Sequence, residues 1–474
     1  MKIGLVLPEV PQYSETFFNS KIKGLIESGF EVLLFTGELN NSNKNENEKI
    51  KIIPAYPVKK GNRVIRLLLY FYVISSRFIF TPLKTIRLMN FESADGKNLT
   101  ERIKSVYFNA HILREKIDVL HFGFMTMALK RENIAKAMYA KMSVSFRGYD
   151  INIFPLKNPG CYNKVWKKID KVHTISSYLR VKALGMGLSD NIPYMKITPA
   201  IDYSGNLSIN LRKDISEPKI ITVGRLNWIK NYETTISAMK LLFDDGVKFT
   251  YEIIGEGKEM ERLKFAVHQY GLENNIKFCG KKSHEEVLEI MNTSDIYLQP
   301  SYEEGFCVSV LEAQAAGLMC IVSDAEGLKE NVINGETGWI ISKRDHKAFK
   351  EKISEVCKMS FEERMKISCT ARERVKNEFK SEDQNKKFKE FFQTMINQNE
   401  YVSVLKCVGI FFDLSTSICS GIFFQRGIVT STLYPFSENI NDVLYQRNSL
   451  PPHSDLFEDA KAILFIPYGC LSNY

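Results

Sequence analysis

Along the first two hundred residues, short apolar runs alternate with longer stretches whose apolar positions recur at helical spacing. Residues 2–7 and 31–35 are runs of the first kind; between them Phe17, Phe18, Ile22, Leu25 and Ile26 share one helical face, closed by Gly29. Continuous apolar runs bounded by turn residues mark strands buried on both faces, and a strand–helix–strand rhythm predicts a parallel sheet. The rhythm returns at residues 118–122, 143–146, 171–175 and 195–198, and 202–218 read as a polar linker. A second alternating half follows, with strands predicted at 219–224, 249–254, 276–279, 296–299, 319–323 and 338–341. Its helices are predicted at about 233–243, 258–270, 285–293, 309–316, 326–332 and 346–357, and 361–399 read as one continuous charged amphipathic helix. The fold class is therefore α/β: two Rossmann-like doubly wound domains facing a cleft, with ligands expected at the carboxyl ends of the strands.

The expected organisation is an N-terminal domain over 1–208, a second Rossmann-like domain over 209–383, and a C-terminal helix over 384–400 crossing back to the first domain. Residues 401–474 break the pattern; apolar and aromatic, they read as a few strands plus a helix in an extension with no assigned role. Within the first domain, 59–104 form a basic hydrophobic helical insert. Its segment 59–91 holds seven Lys/Arg and no Asp or Glu among many Leu, Ile, Phe and Tyr. Two readings stay open there: core-packed helices with solvated charges, or an amphipathic segment on an anionic membrane surface.

Bulk properties narrow the class. At 474 residues the chain needs two or three cores, and 44% hydrophobic with 25% charged residues is ordinary globular composition. The net charge of +9 suits anionic lipid or nucleotide phosphate, and no motif for binding nucleic acid accompanies it. The nine cysteines form no CxxC pair and no cluster with histidine, so neither a zinc site nor a disulfide framework is expected. The first apolar run stops at Pro8, too short for a signal peptide, and the most lipophilic segment, 67–80, is too short to span a bilayer. The expected location is cytoplasmic, with peripheral attachment to the inner face of the cell membrane as the companion reading.

Candidate chemistry gathers in three strand-to-helix turns of the second half. In Gly224-Arg225-Leu226-Asn227-Trp228-Ile229-Lys230, Arg225 and Lys230 put two cations on one turn, which reads as a diphosphate clamp or as two surface bases. Gly255-Glu256-Gly257 lacks the third glycine of a dinucleotide fingerprint; it reads as a close-approach turn for a nucleobase or ribose, or as a plain turn. The third stretch, 300–316, runs from a strand through a glycine turn into a helix, with Glu304 and Glu312 on either side of Gly305, Phe306, Cys307 and Val308. Such a turn approaches anions with backbone N–H groups, which leaves the carboxylates to hold sugar hydroxyls. Each carboxylate also has a plainer reading: Ser309-Val310-Leu311-Glu312 spells a capping box, and Glu304 beside Glu303 reads as a solvated loop acid. No D-x-D triplet occurs, so no carboxylate-held metal and no resident cofactor are expected. The seven histidines are dispersed and read as structural.

Taken in order, these stretches resemble the family 4 glycosyltransferases of GT-B fold, and within them the exopolysaccharide, colanic acid-type enzymes. The likeness is carried by Ser14-Glu15-Thr16-Phe17, His121-Phe122-Gly123, Phe146-Arg147-Gly148-Tyr149-Asp150, Gly224-Arg225-Leu226 with Lys230, and Gly255-Glu256-Gly257. The E-x7-E element from Glu304 to Glu312, then Glu326-Gly327-Leu328-Lys329-Glu330 and Asn334-Gly335-Glu336-Thr337-Gly338, complete it. The resemblance implies a retaining, metal-independent transfer of a hexose-type sugar from a nucleoside diphosphate to a lipid-linked or polysaccharide acceptor in surface glycan synthesis. It implies that Arg225 and Lys230 hold the diphosphate and that Glu312 takes the ribose hydroxyls. Glu304 and the backbone of Gly305, Phe306, Cys307 and Val308 would take the sugar, and the backbone near Gly255, Gly257 and Lys282 the base. Ser14, Glu15, Thr16, Arg147, Gly148 and Asp150 would line the acceptor side of the cleft. Where the family usually has histidine this chain has Arg147, longer and always charged. A nucleotide-sugar epimerase or hydrolase on the same scaffold, and a non-catalytic partner in glycan assembly, are the alternative readings.

Overall fold

The computed structural model describes residues 1–11, 16–37, 50–57, 62–201, 211–406, 410–413, 418–425 and 428–435. Residues 1–395 form one compact unit built on two parallel sheets. The first contains β1 (Lys2–Val6), β2 (Glu31–Thr36), β3 (Lys51–Pro54), β4 (Val119–Phe122), β5 (Lys141–Phe146), β6 (Lys171–Thr174) and β7 (Tyr194–Lys196), in the order β3-β2-β1-β4-β5-β6-β7. The second contains β8 (Lys219–Val223), β9 (Thr250–Ile254), β10 (Ile276–Gly280), β11 (Ile296–Gln299), β12 (Met319–Ser323) and β13 (Trp339–Ile341), in the order β10-β9-β8-β11-β12-β13. In each sheet the order reverses at the first strand, which opens a crevice at the carboxyl ends of the central strands.

The apolar runs form the central strands because helices cover both faces. Ile3 and Leu5 of β1, Val119 and Leu120 of β4, and Tyr297 and Leu298 of β11 are fully buried. The sequence rhythm did not mark β3. Lying at the sheet edge, it has one buried residue, Ile53, among exposed and half-buried neighbours instead of a buried apolar run.

The helix expected over 361–399 is two helices, Phe361–Glu378 and Ser381–Lys406. They part at Phe379 and Lys380, where Lys380 bridges to Ile201 and Phe379 packs against Phe306 at 5.8 Å between ring centroids. The second helix then lays Phe388, Phe391 and Phe392 against the first sheet, where His121 and His173 meet their rings. Three buried aromatic side chains, each contributing about 1.5–3 kcal/mol, fasten the end of this unit to its beginning. The amine of Lys21 lies among them, 2.8 Å from His121 Nε2 and over the Phe388 ring. Burial, then the charge of Arg147, holds its pKa well below the usual value.

The insert forms helices Arg63–Phe80, Pro82–Ala94 and Leu99–Leu113. In the unit beginning at residue 396, the strands Ile410–Asp413, Ile418–Gln425 and Ile428–Pro435 pair as an antiparallel sheet.

Candidate active site

Two loops at the carboxyl edge of the second sheet run side by side because the ladder continues beyond the strands. Gly224 donates its N–H to Ile254 O and Leu226 donates to Glu256 O, both at 2.9 Å. The crossing is so close that a Cβ at Gly255 would stand 2.1 Å from Gly224 O, and one at Gly257 2.1 Å from Leu226 O. These two glycines are thus required by backbone passing over backbone, whatever a ligand gains from it.

The 3-10 turn Trp228–Lys230 ends at Asn231, which adopts the left-handed conformation with φ +54°. Asn231 Nδ2 donates to Pro300 O at 3.0 Å, and Tyr302 donates its N–H to Ile229 O at 2.8 Å. These bonds tie the loop after β8 to the loop after β11 and bring Lys230 Nζ to 3.0 and 3.2 Å from the two oxygens of Glu304. The two side chains are only 15% and 14% exposed. Burial works against the Lys230 ammonium, but the adjacent Glu304 charge outweighs it and raises the pKa above the usual value. Arg225 lies exposed on the same loop. Glu304 is therefore a paired, enclosed carboxylate and not a solvated loop acid.

The helix Val308–Ala316 opens the other half of the element. Its N-cap is Cys307 and no side chain caps it, so the expected capping box does not form. Ser309 Oγ instead bonds Tyr297 OH at 2.8 Å, and Glu312 Oε1 lies 2.9 Å from His284 Nε2. The hydrogen bond with Glu312 raises the His284 pKa, against the opposing effect of partial burial. A second expectation also needs correction. The Cys307 N–H, expected to face the sugar, donates to Asn331 Oδ1 at 3.0 Å, and Asn331 Nδ2 donates back to Cys307 O. Burial pushes the Cys307 thiol pKa up, which keeps it protonated. Lys282, placed near the nucleobase by resemblance, pairs with Glu286 at 3.0 Å on the helix that carries His284.

The first domain meets this element directly. A Cβ on Gly148 would stand 3.3 Å from Gly305 N, so two glycines let the two backbones pass close together. Around it, Tyr178 OH donates to Glu303 Oε2 at 3.0 Å, Ser177 N–H donates to Glu330 Oε1 at 2.8 Å, and Lys196 reaches Glu330 Oε2 at 3.2 Å. The carboxyl ends of both sheets thus close on the Lys230–Glu304 pair.

The remaining first-domain expectations fare unevenly. Gly148 sits on the cleft. Asp150 does not line it: the side chain is 1% exposed and its two oxygens accept from Arg147 N–H at 2.8 Å and Met125 N–H at 2.6 Å. Burial raises its pKa to about 7, against the lowering effect of those bonds. Asp150 therefore ties two loops together. Arg147 stacks its guanidinium over Phe17 at 3.9 Å and Phe18 at 4.7 Å and donates from Nε to Gly123 O, so its charge sits on an aromatic face of the first domain. Thr16 opens the helix Thr16–Glu27, and Ser14 and Glu15 lie outside the described residues. Among the described residues no group of three or more His, Cys, Asp or Glu converges as metal ligands would. Sequence reasoning missed His284, Asn331 and Tyr178, and named Glu330 within a motif without a role; their partners lie 24 to 153 residues away, and no local spacing signals them.

Fixed cations beside an enclosed carboxylate, at a glycine-rich backbone turn in an interdomain cleft, suit a ligand with an anionic end and a polyhydroxyl end. Residues 206–374 match the family model described as Glycosyl transferases group 1. Glycosyltransferase MJ1069 of Methanocaldococcus jannaschii is 30% identical over 291 residues, which are 59% of this chain and 72% of that protein. The chain belongs to the group 1 glycosyltransferases. Among these glycosyltransferases, the amylovoran biosynthesis glycosyltransferase AmsK of Erwinia amylovora is 26% identical over 368 residues, covering 73% of this chain and 88% of AmsK. In fold, the chain is similar to Anabaena Alr3699/HepE, solved in complex with UDP and glucose. The TM-score is 0.61 at 15% identity, over 83% of this chain and all of that one. The group 1 glycosyltransferase architecture is thus GT-B, as expected from the ordered motifs.

Proposed function

We propose that this glycosyltransferase transfers a sugar, with retention at its anomeric carbon, from a nucleoside diphosphate sugar to a lipid-linked or polysaccharide acceptor in surface glycan synthesis. The observation that carries the reading is the enclosed Lys230–Glu304 pair at the junction of the two domains. In this reading the diphosphate draws Lys230 and Arg225, and Glu304 turns to the hydroxyls of the sugar. The bond between the anomeric carbon and the β-phosphate oxygen breaks, and the acceptor oxygen bonds to that carbon from the same face. The acceptor's proton passes to the departing phosphate oxygen. Negative charge grows on the leaving diphosphate, and cations already fixed beside it lower the barrier. Because Arg225 and Lys230 supply that charge, the reaction needs no carboxylate-held cation. AmsK, an amylovoran biosynthesis glycosyltransferase by name, and the UDP and glucose in Alr3699/HepE support the choice of substrate class.

The test is a panel of nucleotide sugars, each incubated with the protein while melting temperature and nucleotide release are followed. One donor raises the melting temperature, and nucleotide is released only when a lipid-linked or oligosaccharide acceptor is present. Release without acceptor marks a hydrolase, an epimer formed without acceptor marks an epimerase, and no shift with any donor overturns the reading.

A further inference from the structure

Half of the exposed large apolar side chains among the described residues fall between 64 and 86. On the helix Arg63–Phe80 they form a stripe at helical spacing: Val64, Leu68 and Phe71, then Ile79, are 60 to 69% exposed. The opposite face, Val73, Ser76 and Arg77, is buried. It is rooted on the helix Leu99–Leu113, where Tyr107 packs its ring against Tyr70, tilted, with centroids 4.9 Å apart, and donates to Pro57 O. The stripe turns a corner at Thr81–Pro82, where the axis bends by 110°, and continues through Phe80 and Leu83, 75% and 72% exposed. Proline fits the first turn of the new helix while disfavouring helical backbone at Thr81, which adopts φ −138°.

An apolar face of this extent on a soluble domain calls for a covering surface. Charge decides among the coverings. Segment 59–91 has seven Lys/Arg and no Asp or Glu, and Arg63 and Arg66 are exposed in the first turn of the helix that carries the stripe. A second copy would set basic residues against basic residues, whereas anionic lipid headgroups complement them. Neither helix is long and apolar enough to cross a bilayer, and a bent amphipathic pair suits the plane of the interface.

We propose that Arg63–Ala94 is an interfacial anchor that lies in the surface of an anionic bilayer, with its apolar stripe in the acyl boundary and Arg63 and Arg66 among the headgroups. The segment leaves β3 at the carboxyl end of the first sheet, and its second helix lies at the amino end, where Lys84 donates to Leu113 O and Glu115 O ahead of β4 and Arg87 donates to Lys136 O ahead of β5. The anchor does not depend on the transfer reading, since it needs no donor.

The test uses the full chain without nucleotide, sedimented with vesicles of phosphatidylcholine containing one third phosphatidylglycerol or of phosphatidylcholine alone. Wild-type protein binds the anionic vesicles at least about tenfold more strongly than the neutral ones. The triple substitution Leu68→Ser, Phe71→Ser, Ile79→Ser lowers anionic binding by at least about tenfold while circular dichroism and melting temperature stay unchanged. In hydroxyl-radical footprinting, Phe71 and Phe80 react freely in buffer and are shielded by anionic vesicles. Absent or headgroup-independent binding, equal binding of the triple variant, or shielding in buffer alone, which would place another part of this chain or a second copy on the stripe, each overturns the proposal.

Discussion

Lys230 Nζ stands 3.0 Å from Glu304 Oε1 across 74 residues of sequence, and Glu312 Oε1 stands 2.9 Å from His284 Nε2 in the same cleft wall. Each of the two carboxylates assigned by resemblance to donor hydroxyls thus already holds a cation or a proton-binding group. In the proposed function, donor binding exchanges these internal partners for phosphate and hydroxyl groups, which gives the empty and loaded sites different electrostatics.

Replacing Lys230 with alanine leaves Glu304 enclosed without its partner. Turnover should fall about 10²–10³-fold, in the range found when one fixed charge-stabilising group is removed, and stability by about 1–3 kcal/mol. The double variant Lys230→Ala, Glu304→Ala should lose less stability than the two single losses added together. Denaturant titrations of all four proteins, with donor turnover, check both statements; additive losses would mean that the pair is not coupled.

His284 carries a raised pKa, so its attraction to Glu312 is fully present below about pH 6.5 and is lost as pH rises through the higher folded value. With His284 40% exposed the pair adds under about 1 kcal/mol to stability. The larger effect falls on the donor: charged His284 holds Glu312, so donor KM should decrease as pH rises through that value. His284→Gln should flatten the profile, and an unchanged profile in this variant would remove His284 from donor recognition.

Gly257→Ala introduces a Cβ that would meet Leu226 O at 2.1 Å. Backbone cannot yield as a side chain does, so stability should fall by about 1–3 kcal/mol, and the displaced 224–230 loop should raise donor KM. Thermal melting and donor titration are the readouts; a wild-type melting temperature would show that the two loops part easily.

Glu330 joins the domains by accepting from Ser177 N–H and Lys196. Glu330→Ala should favour separation, seen as a larger radius of gyration in small-angle scattering and reversed by saturating donor. An unchanged radius would assign closure to the Gly148–Gly305 contact and the Tyr178–Glu303 bond.

Asp150→Asn puts an amide NH₂ where Arg147 N–H or Met125 N–H now finds an oxygen. One buried donor loses its acceptor, at a cost of about 1–3 kcal/mol, while donor KM should hold because Asp150 stands away from the cleft. A KM increase without loss of stability would return it to the acceptor side.

By itself the chain determined the alternation of buried runs and helices, and with it two parallel sheets, since strands covered on both faces must be apolar throughout. It also set out the glycine turns and the order of charged motifs, because these depend on neighbours a few residues apart. An edge strand such as β3, covered on fewer sides, left no comparable trace. The break at Phe379 and Lys380 was hidden because charged residues continue through it; a contact with Phe306 and a bridge to Ile201 impose it from outside. Only the tertiary structure decided what Glu304, Glu312, Cys307 and Asp150 touch. A capping box is a local pattern, but burial and a partner such as His284 are properties of distant segments brought together. The same holds for the helix Arg63–Phe80: its periodicity announced an apolar face, and only packing showed that this face is left toward solvent.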